Sequence, residues 1–135
     1  MTAVERAVAT ERLAEVAGEI VERELGSAME KLTPSQLFRA LELAGEEDGC
    51  RLLESLAGHQ LGRSTMKPPY RTFWKAIQDV AGQRDPAVAA YLQETGGRQE
   101  LEPWEFRRLV EFLVVEVLWR KRQQQAPRGG RGRGR

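Results

Sequence analysis

The sequence predicts an all-α fold: a single compact bundle of five or six helices with a disordered Arg/Gly-rich C-terminal tail. Three observations carry this. Apolar residues recur at spacings of three and four in successive segments, which places them on one face of a helix. Helix-start and helix-stop residues bracket those segments, as at Thr33-Pro34, Asp85-Pro86, Pro103, Gly26, Gly62 and Gly96-Gly97. Outside the last helix no run alternates apolar with polar residues, so no strand has a partner.

Val4, Val8, Leu13, Val16, Ile20 and Leu25 mark one apolar stripe on a first helix, which Gly26 ends. Thr33-Pro34-Ser35-Gln36 then supplies an N-cap, a proline at the first helical position and a glutamine placed to reach back as in a capping box. The second helix directs Leu37, Phe38, Leu41 and Ala44 inward. Gly45-Glu46-Glu47-Asp48-Gly49 interrupts, and Cys50, Leu53, Leu56, Ala57 and Leu61 form a third helix closed by Gly62. Residues 63–69 form a basic loop, because consecutive prolines cannot continue a helix. Tyr70, Phe73, Trp74, Ile77 and Val80 make a fourth helix, stopped near Gly82. Asp85-Pro86 caps a short fifth that buries Val88 and Leu92.

Pro103 opens the last helix. Trp104, Phe106, Leu109, Val110, Leu113 and Val117 make its main stripe, and Phe112, Val115 and Trp119 a second, so burial on two sides is expected. Val114, Val115 and Val117 would also suit a strand, but a capped start and a length of about twenty residues decide for helix. The bundle domain is placed at 1–122. The tail, 123–135, has no apolar residue large enough to pack.

A formal net charge of +1 conceals a segregated molecule. Residues 55–78 and 117–135 contain no Asp or Glu, yet hold eleven of the 21 Lys and Arg. The remaining segments therefore carry a net −10, with ten basic and all twenty acidic residues. Basic surfaces on an acidic body point to a polyanionic partner. In the first stretch Arg63, Lys67, Arg71 and Lys75 alternate with Met66, Tyr70, Phe73 and Trp74. Cations there suit phosphates, and a solvated helix face is the competing reading. Phe73, Trp74 and Ile77, at helical spacing, read as core. In the tail Arg128, Arg131 and Arg133 alternate with glycine, a pattern suited to sequence-tolerant RNA binding; a solubility tail is the alternative.

Catalytic patterns are missing. Cys50 is the only cysteine and His59 the only histidine, so neither a disulfide nor a Cys/His metal site is expected. Glu46, Glu47 and Asp48 read as a solvated turn, and Glu111 and Glu116 are five apart and do not share a helix face. No phosphate-binding or nucleophile-elbow motif occurs. The expectation is a chain with no enzymatic activity, no cofactor, no metal and no small-molecule substrate. The free thiol, the mixed-charge start and the lack of a long apolar run fit a cytoplasmic protein away from membranes.

At Leu32-Thr33-Pro34-Ser35-Gln36-Leu37-Phe38-Arg39 the chain resembles the small helical subunit of type III (Csm-type) CRISPR effector complexes, whose members enter a helix with Leu-Thr-x-Ser-Gln. Leu53, Leu56, Ala57, Gly62 and Arg63 resemble that family's middle helix, which ends in Gly-Arg. Phe106-Arg107-Arg108-Leu109-Val110-Glu111-Phe112 resembles its Phe-rich last helix. The matches fall in order over residues 16–121, and the chain departs from the pattern at Val117-Leu118-Trp119-Arg120, where the family has an Ala-Tyr-His-like segment. The resemblance implies a non-catalytic RNA-binding subunit of a ribonucleoprotein in antiviral defense. Such a subunit stacks with copies of itself and other subunits and touches guide and target RNA. Arg39 and Arg63 lie in matched motifs, whereas Lys67, Arg71 and Lys75 enter by charge. The alternative is a helical adaptor or regulatory module with an accessory RNA-binding tail. In either case Phe112, Val115 and Trp119 form a partner interface.

Overall fold

Thr2 starts the first helix, α1 (Ala3–Ile20), with a full capping box: its hydroxyl accepts from the Glu5 amide at 3.1 Å, and the Glu5 carboxylate accepts from the Thr2 amide at 2.9 Å. The computed structural model describes residues 2–125. Leu13, Val16, Ala17 and Ile20 of α1 are buried. Val4 and Val8, expected on the same stripe, are instead 73% and 62% exposed, because they line an open cleft against Tyr91, Glu94 and Thr95 that nothing closes. Helical structure runs on through a π-helical turn (Val21–Leu25), whose wider period keeps both Val21 and Leu25 buried. Gly26, at φ +44°, then turns the chain into a 3₁₀ segment (Gly26–Lys31).

Thr33 and Pro34 begin α2 (Pro34–Ala44) as the sequence predicts, but without the capping box. The Thr33 hydroxyl lies 3.0 Å from that of Ser35, and the Gln36 side-chain oxygen accepts from the Trp74 indole at 3.0 Å. Trp74 is fully buried, and its N–H has a prior claim on an acceptor because leaving it unpaired costs about 1–3 kcal/mol. Leu37, Ala40 and Ala44 face inward, whereas Phe38, expected inward, is 51% exposed. One residue along a helix turns the side chain away from Leu37's direction.

The next helix, α3 (Gly49–Leu61), follows so tightly that a Cβ on Gly49 would lie 2.6 Å from the Ala44 carbonyl oxygen. Only glycine fits there. Pro68 and Pro69 open α4 (Pro68–Ala81), where missing amide donors cost nothing. Asp85 caps α5 (Pro86–Glu94) by accepting from the Ala87 amide at 2.8 Å, and Gly96 and Gly97, both at positive φ, terminate it. The last helix, α6 (Pro103–Gln125), packs on α1, α2, α3 and both short turns. Against α3 and the same two turns lies α4, and α5 rests on α1. All six helices contribute to one apolar core. No strand occurs, and no helix is long and apolar enough to cross a membrane, among the described residues.

A buried carboxylate ties α5 to α6. Glu105, fully buried, is the third residue of α6 and accepts from the Glu102 amide at 2.8 Å, from both terminal nitrogens of Arg98 at 2.7 Å, and from the Tyr91 hydroxyl. Burial alone would raise its pKa, but the bonds from Arg98, Tyr91 and Glu102 outweigh that and hold it below the ordinary glutamate range. Burial, reinforced by the neighbouring carboxylate, pushes the Tyr91 phenol up, so it remains a donor at any physiological pH. A comparable link joins the π-helical turn to α5, where Arg23 donates to the buried Asp85.

Replacing Glu105 by Ala strands the Arg98 guanidinium and the Tyr91 hydroxyl, and should cost about 3–5 kcal/mol in a urea unfolding curve. Because the folded pKa of Glu105 is lowered, its contribution is complete above the ordinary glutamate range and is lost as pH falls below that range and through the lowered folded pKa. The wild-type midpoint should therefore drop on acidification, and the Glu105→Gln midpoint should drop less.

Candidate nucleic-acid interface

The acid-free stretch 55–78 folds as a helical hairpin. At its hinge α3 ends on Gly62, and the chain crosses to α4 through residues 63–67. Lys67 is extended, as a residue before proline must be. Hydrogen bonds fix the crossing: Arg63 donates to the Gln60 side chain at 3.2 Å, and Arg71, one turn into α4, donates back to the Arg63 carbonyl at 3.2 Å. Arg63, Lys67 and Arg71 thus gather at one end of the hairpin, all three exposed. None has a carboxylate within ion-pair distance among the described residues. His59, in the last turn of α3, is exposed near them.

The structure does not bring every expected residue to this end. Lys75 points along α4 and pairs with Asp79 at 3.2 Å. Arg39 is exposed on α2, and no hydrogen bond or ion pair joins it to the hairpin among the described residues. Arg128, Arg131 and Arg133 lie outside the described residues.

The interleaved aromatics belong to the core. Phe73 and Trp74 are buried and meet edge to face with ring centres 5.1 Å apart, and Tyr70 packs partly buried against the same cluster. The hairpin end therefore offers phosphate-neutralising charge, while Phe73 and Trp74 are withheld from any base.

On α6 the second apolar stripe is not buried as expected. Phe112 is half-buried against the core, but Val115 is 61% and Trp119 57% exposed. The neighbouring cations have unequal tasks. Arg120 pairs with Glu116 at 2.6 Å, and Lys121 donates to the carbonyls of Met29, Glu30 and Leu32 at 3.2, 3.3 and 2.7 Å, closing the end of the 3₁₀ segment. Arg122 is exposed, with no ion pair among the described residues.

Cys50 behaves as a packing residue. Burial pushes its thiol up, and Sγ donates to the Ala81 carbonyl at 2.9 Å, which disfavours a thiolate. A cleft of about 340 Å³ beside it is walled by Glu46, Glu47, Asp48 and Glu100. No group of three metal-ligating side chains converges among the described residues.

Residues that charge reasoning missed are structural ones: Arg98, Glu105 and Tyr91 in one network, and Arg23 with Asp85 in another. The signal for Glu105 was present in Pro103-Trp104-Glu105, a proline at the first helical position with an acid two residues on. The chain matches no protein-family model, no curated protein and no solved structure.

Two lysines separate structural from available charge. Lys121→Ala removes the ammonium shared by the carbonyls of Met29, Glu30 and Leu32 and should lower stability by about 1–3 kcal/mol in thermal unfolding, whereas Lys67→Ala should change it by less than about 0.5 kcal/mol.

Proposed function

We propose that this chain is a non-catalytic, RNA-contacting structural subunit of a ribonucleoprotein, the role implied by its resemblance to the small subunit of type III CRISPR effector complexes. One observation carries the reading: Arg63, Lys67 and Arg71 converge on a turn held between two packed helices and meet no carboxylate among the described residues. Three cations on a fixed turn can replace the counterions of adjacent phosphates without first giving up a carboxylate partner. The segments outside 55–78 and 117–135 carry a net −10, which disfavours the approach of RNA to them. Guide and target RNA are the proposed ligands, with cytoplasmic location and neighbouring subunits, including copies of the chain, following from the same reading. Cleavage would belong to other subunits.

Exposed Val115 and Trp119 favour a second reading, an adaptor module whose α6 docks a protein. A salt series on RNA affinity separates the two. The intact chain should bind an RNA duplex with a log–log salt slope that falls by about 2–3 when Arg63, Lys67 and Arg71 are replaced together by Ala. Lys75→Ala, which removes a cation already paired, should reduce the slope less. An unchanged slope in the triple variant would remove the hairpin from the interface and leave the adaptor reading.

A further inference from the structure

The crossing between α3 and α4 is a turn with Ser64 and Thr65 at its corners. The Arg63 carbonyl closes it, accepting from the Met66 amide at 3.3 Å and from the Arg71 side chain at 3.2 Å. Both corner residues are exposed, and neither hydroxyl is hydrogen-bonded within the chain among the described residues. Other hydroxyls have tasks: Thr2 caps α1, Thr10 donates to the Arg6 carbonyl, and Thr33 and Ser35 share a hydrogen bond. The cations of the turn surround its corners. Arg63 spends one terminal nitrogen on Gln60, and Arg71 spends one on the carbonyl of the peptide unit that leads into Ser64. A guanidinium carries five N–H donors, so each keeps donors for a further acceptor, and Lys67 follows three residues after Ser64.

We infer that Ser64 is a phosphorylation site whose phosphoryl group closes the hairpin end to RNA by occupying Arg63, Lys67 and Arg71 from within the chain. This rests on the RNA reading above and names the regulation of that surface. The Ser64 hydroxyl oxygen attacks the γ-phosphorus of a nucleoside triphosphate held by a protein kinase. The Oγ–P bond forms as the bond to the β-phosphate oxygen breaks, the nucleoside diphosphate leaves with the electron pair, and the hydroxyl proton passes to the kinase's base. Residues 63–67 lie between helices, so the acceptor reaches an enzyme without the unwinding of α3 or α4. Ser64 is chosen over Thr65 because the Arg71 guanidinium is anchored on the peptide unit that Ser64 shares with Arg63. A phosphoserine adds a charge of about −1.5 to −2 and three acceptor oxygens, which suit the forked donors of two arginines. Tethered in the turn, it acts at an effective concentration of roughly millimolar, above that of an RNA duplex in a titration.

The test compares the full chain with the same chain carrying phosphoserine introduced at position 64 during synthesis, each titrated with an RNA duplex across a salt series. The phosphorylated chain should bind at least about 10-fold more weakly, with a log–log salt slope smaller by about 2–3, and phosphatase should restore both. Ser64→Ala should bind the duplex as the wild type does, and far-ultraviolet circular dichroism should be the same for all three. Phosphoserine placed instead at Ser55, on the exposed side of α3, should weaken binding less. Equal weakening from either position would make the effect one of net charge and overturn the site. Peptide mapping by mass spectrometry of the chain purified from the cells that make it should find phosphate on Ser64; phosphate absent there overturns the modification. If the phosphorylated chain binds like the unmodified one while the Arg63/Lys67/Arg71→Ala variant loses its slope, the closing mechanism is wrong and the hairpin reading stands. If that triple variant also binds like the wild type, the hairpin reading fails and this inference falls with it.

Discussion

The buried carboxylate of Glu105 is the constraint around which the second half of the chain is organised. Apolar burial holds α1, α2, α3, α4 and α6 together, but α5 is short and rests chiefly on α1. What ties α5 to α6 is a set of four donors aimed at one side chain, from Arg98, Tyr91 and the Glu102 amide. The arrangement is all or nothing. A buried carboxylate with four good donors is tolerated, whereas the same carboxylate with its arginine removed would cost several kcal/mol. It also fixes the turn at residues 95–102, because Arg98 lies in that turn and bonds to Thr95 on one side and Glu105 on the other.

The same principle sorts the cations. Arg98, Arg23 and Lys121 are consumed by buried acids or by carbonyls at a helix end, so their charge is internal to the fold. Arg12, Arg84, Arg108 and Arg120 pair with acids at the surface. Arg63, Lys67, Arg71 and Arg122 pair with no acid among the described residues, and neither do Arg6, Lys31, Arg39, Arg51 and Arg107. The first four come from the acid-free stretches, where none of them has an acid three or four residues away. Lys75 shows the limit, since Asp79 lies just past the stretch and one turn away.

The helices were legible because each has apolar residues at helical spacing and a strong start or stop signal; Asp85-Pro86 and Gly96-Gly97 act as the sequence suggests. Capping was legible only in part. Thr33 through Gln36 has the pattern of a capping box, yet Gln36 is taken by an indole that lies 38 residues further on, a contact no local pattern encodes. Thr2 through Glu5 has the better version of the same pattern and forms it. Exposure was the least legible property. Val4, Val8, Phe38, Val115 and Trp119 fall on or near apolar stripes, and whether a neighbouring helix covers them depends on where that helix ends. For the candidate interface, charge located the cations of the hairpin but also named Lys75, which Asp79 pairs, and the resemblance named Arg39, which no hydrogen bond or ion pair joins to the hairpin among the described residues.

Position within the hairpin matters as much as charge. A lysine or arginine on a free chain loses most of its side-chain freedom when it meets a phosphate, a cost of up to about 2 kcal/mol per residue. Arg71 has given up part of that freedom in advance, since its guanidinium is held on the Arg63 carbonyl, and Arg63 is held on Gln60. Each retains further N–H groups for a ligand, because a guanidinium carries five donors. The turn that carries them is anchored in turn by Phe73 and Trp74, whose burial fixes α4 against the core. The aromatic residues between the cations therefore serve the interface from beneath. They set the geometry of the charges, which would not survive if those rings were outside competing for bases.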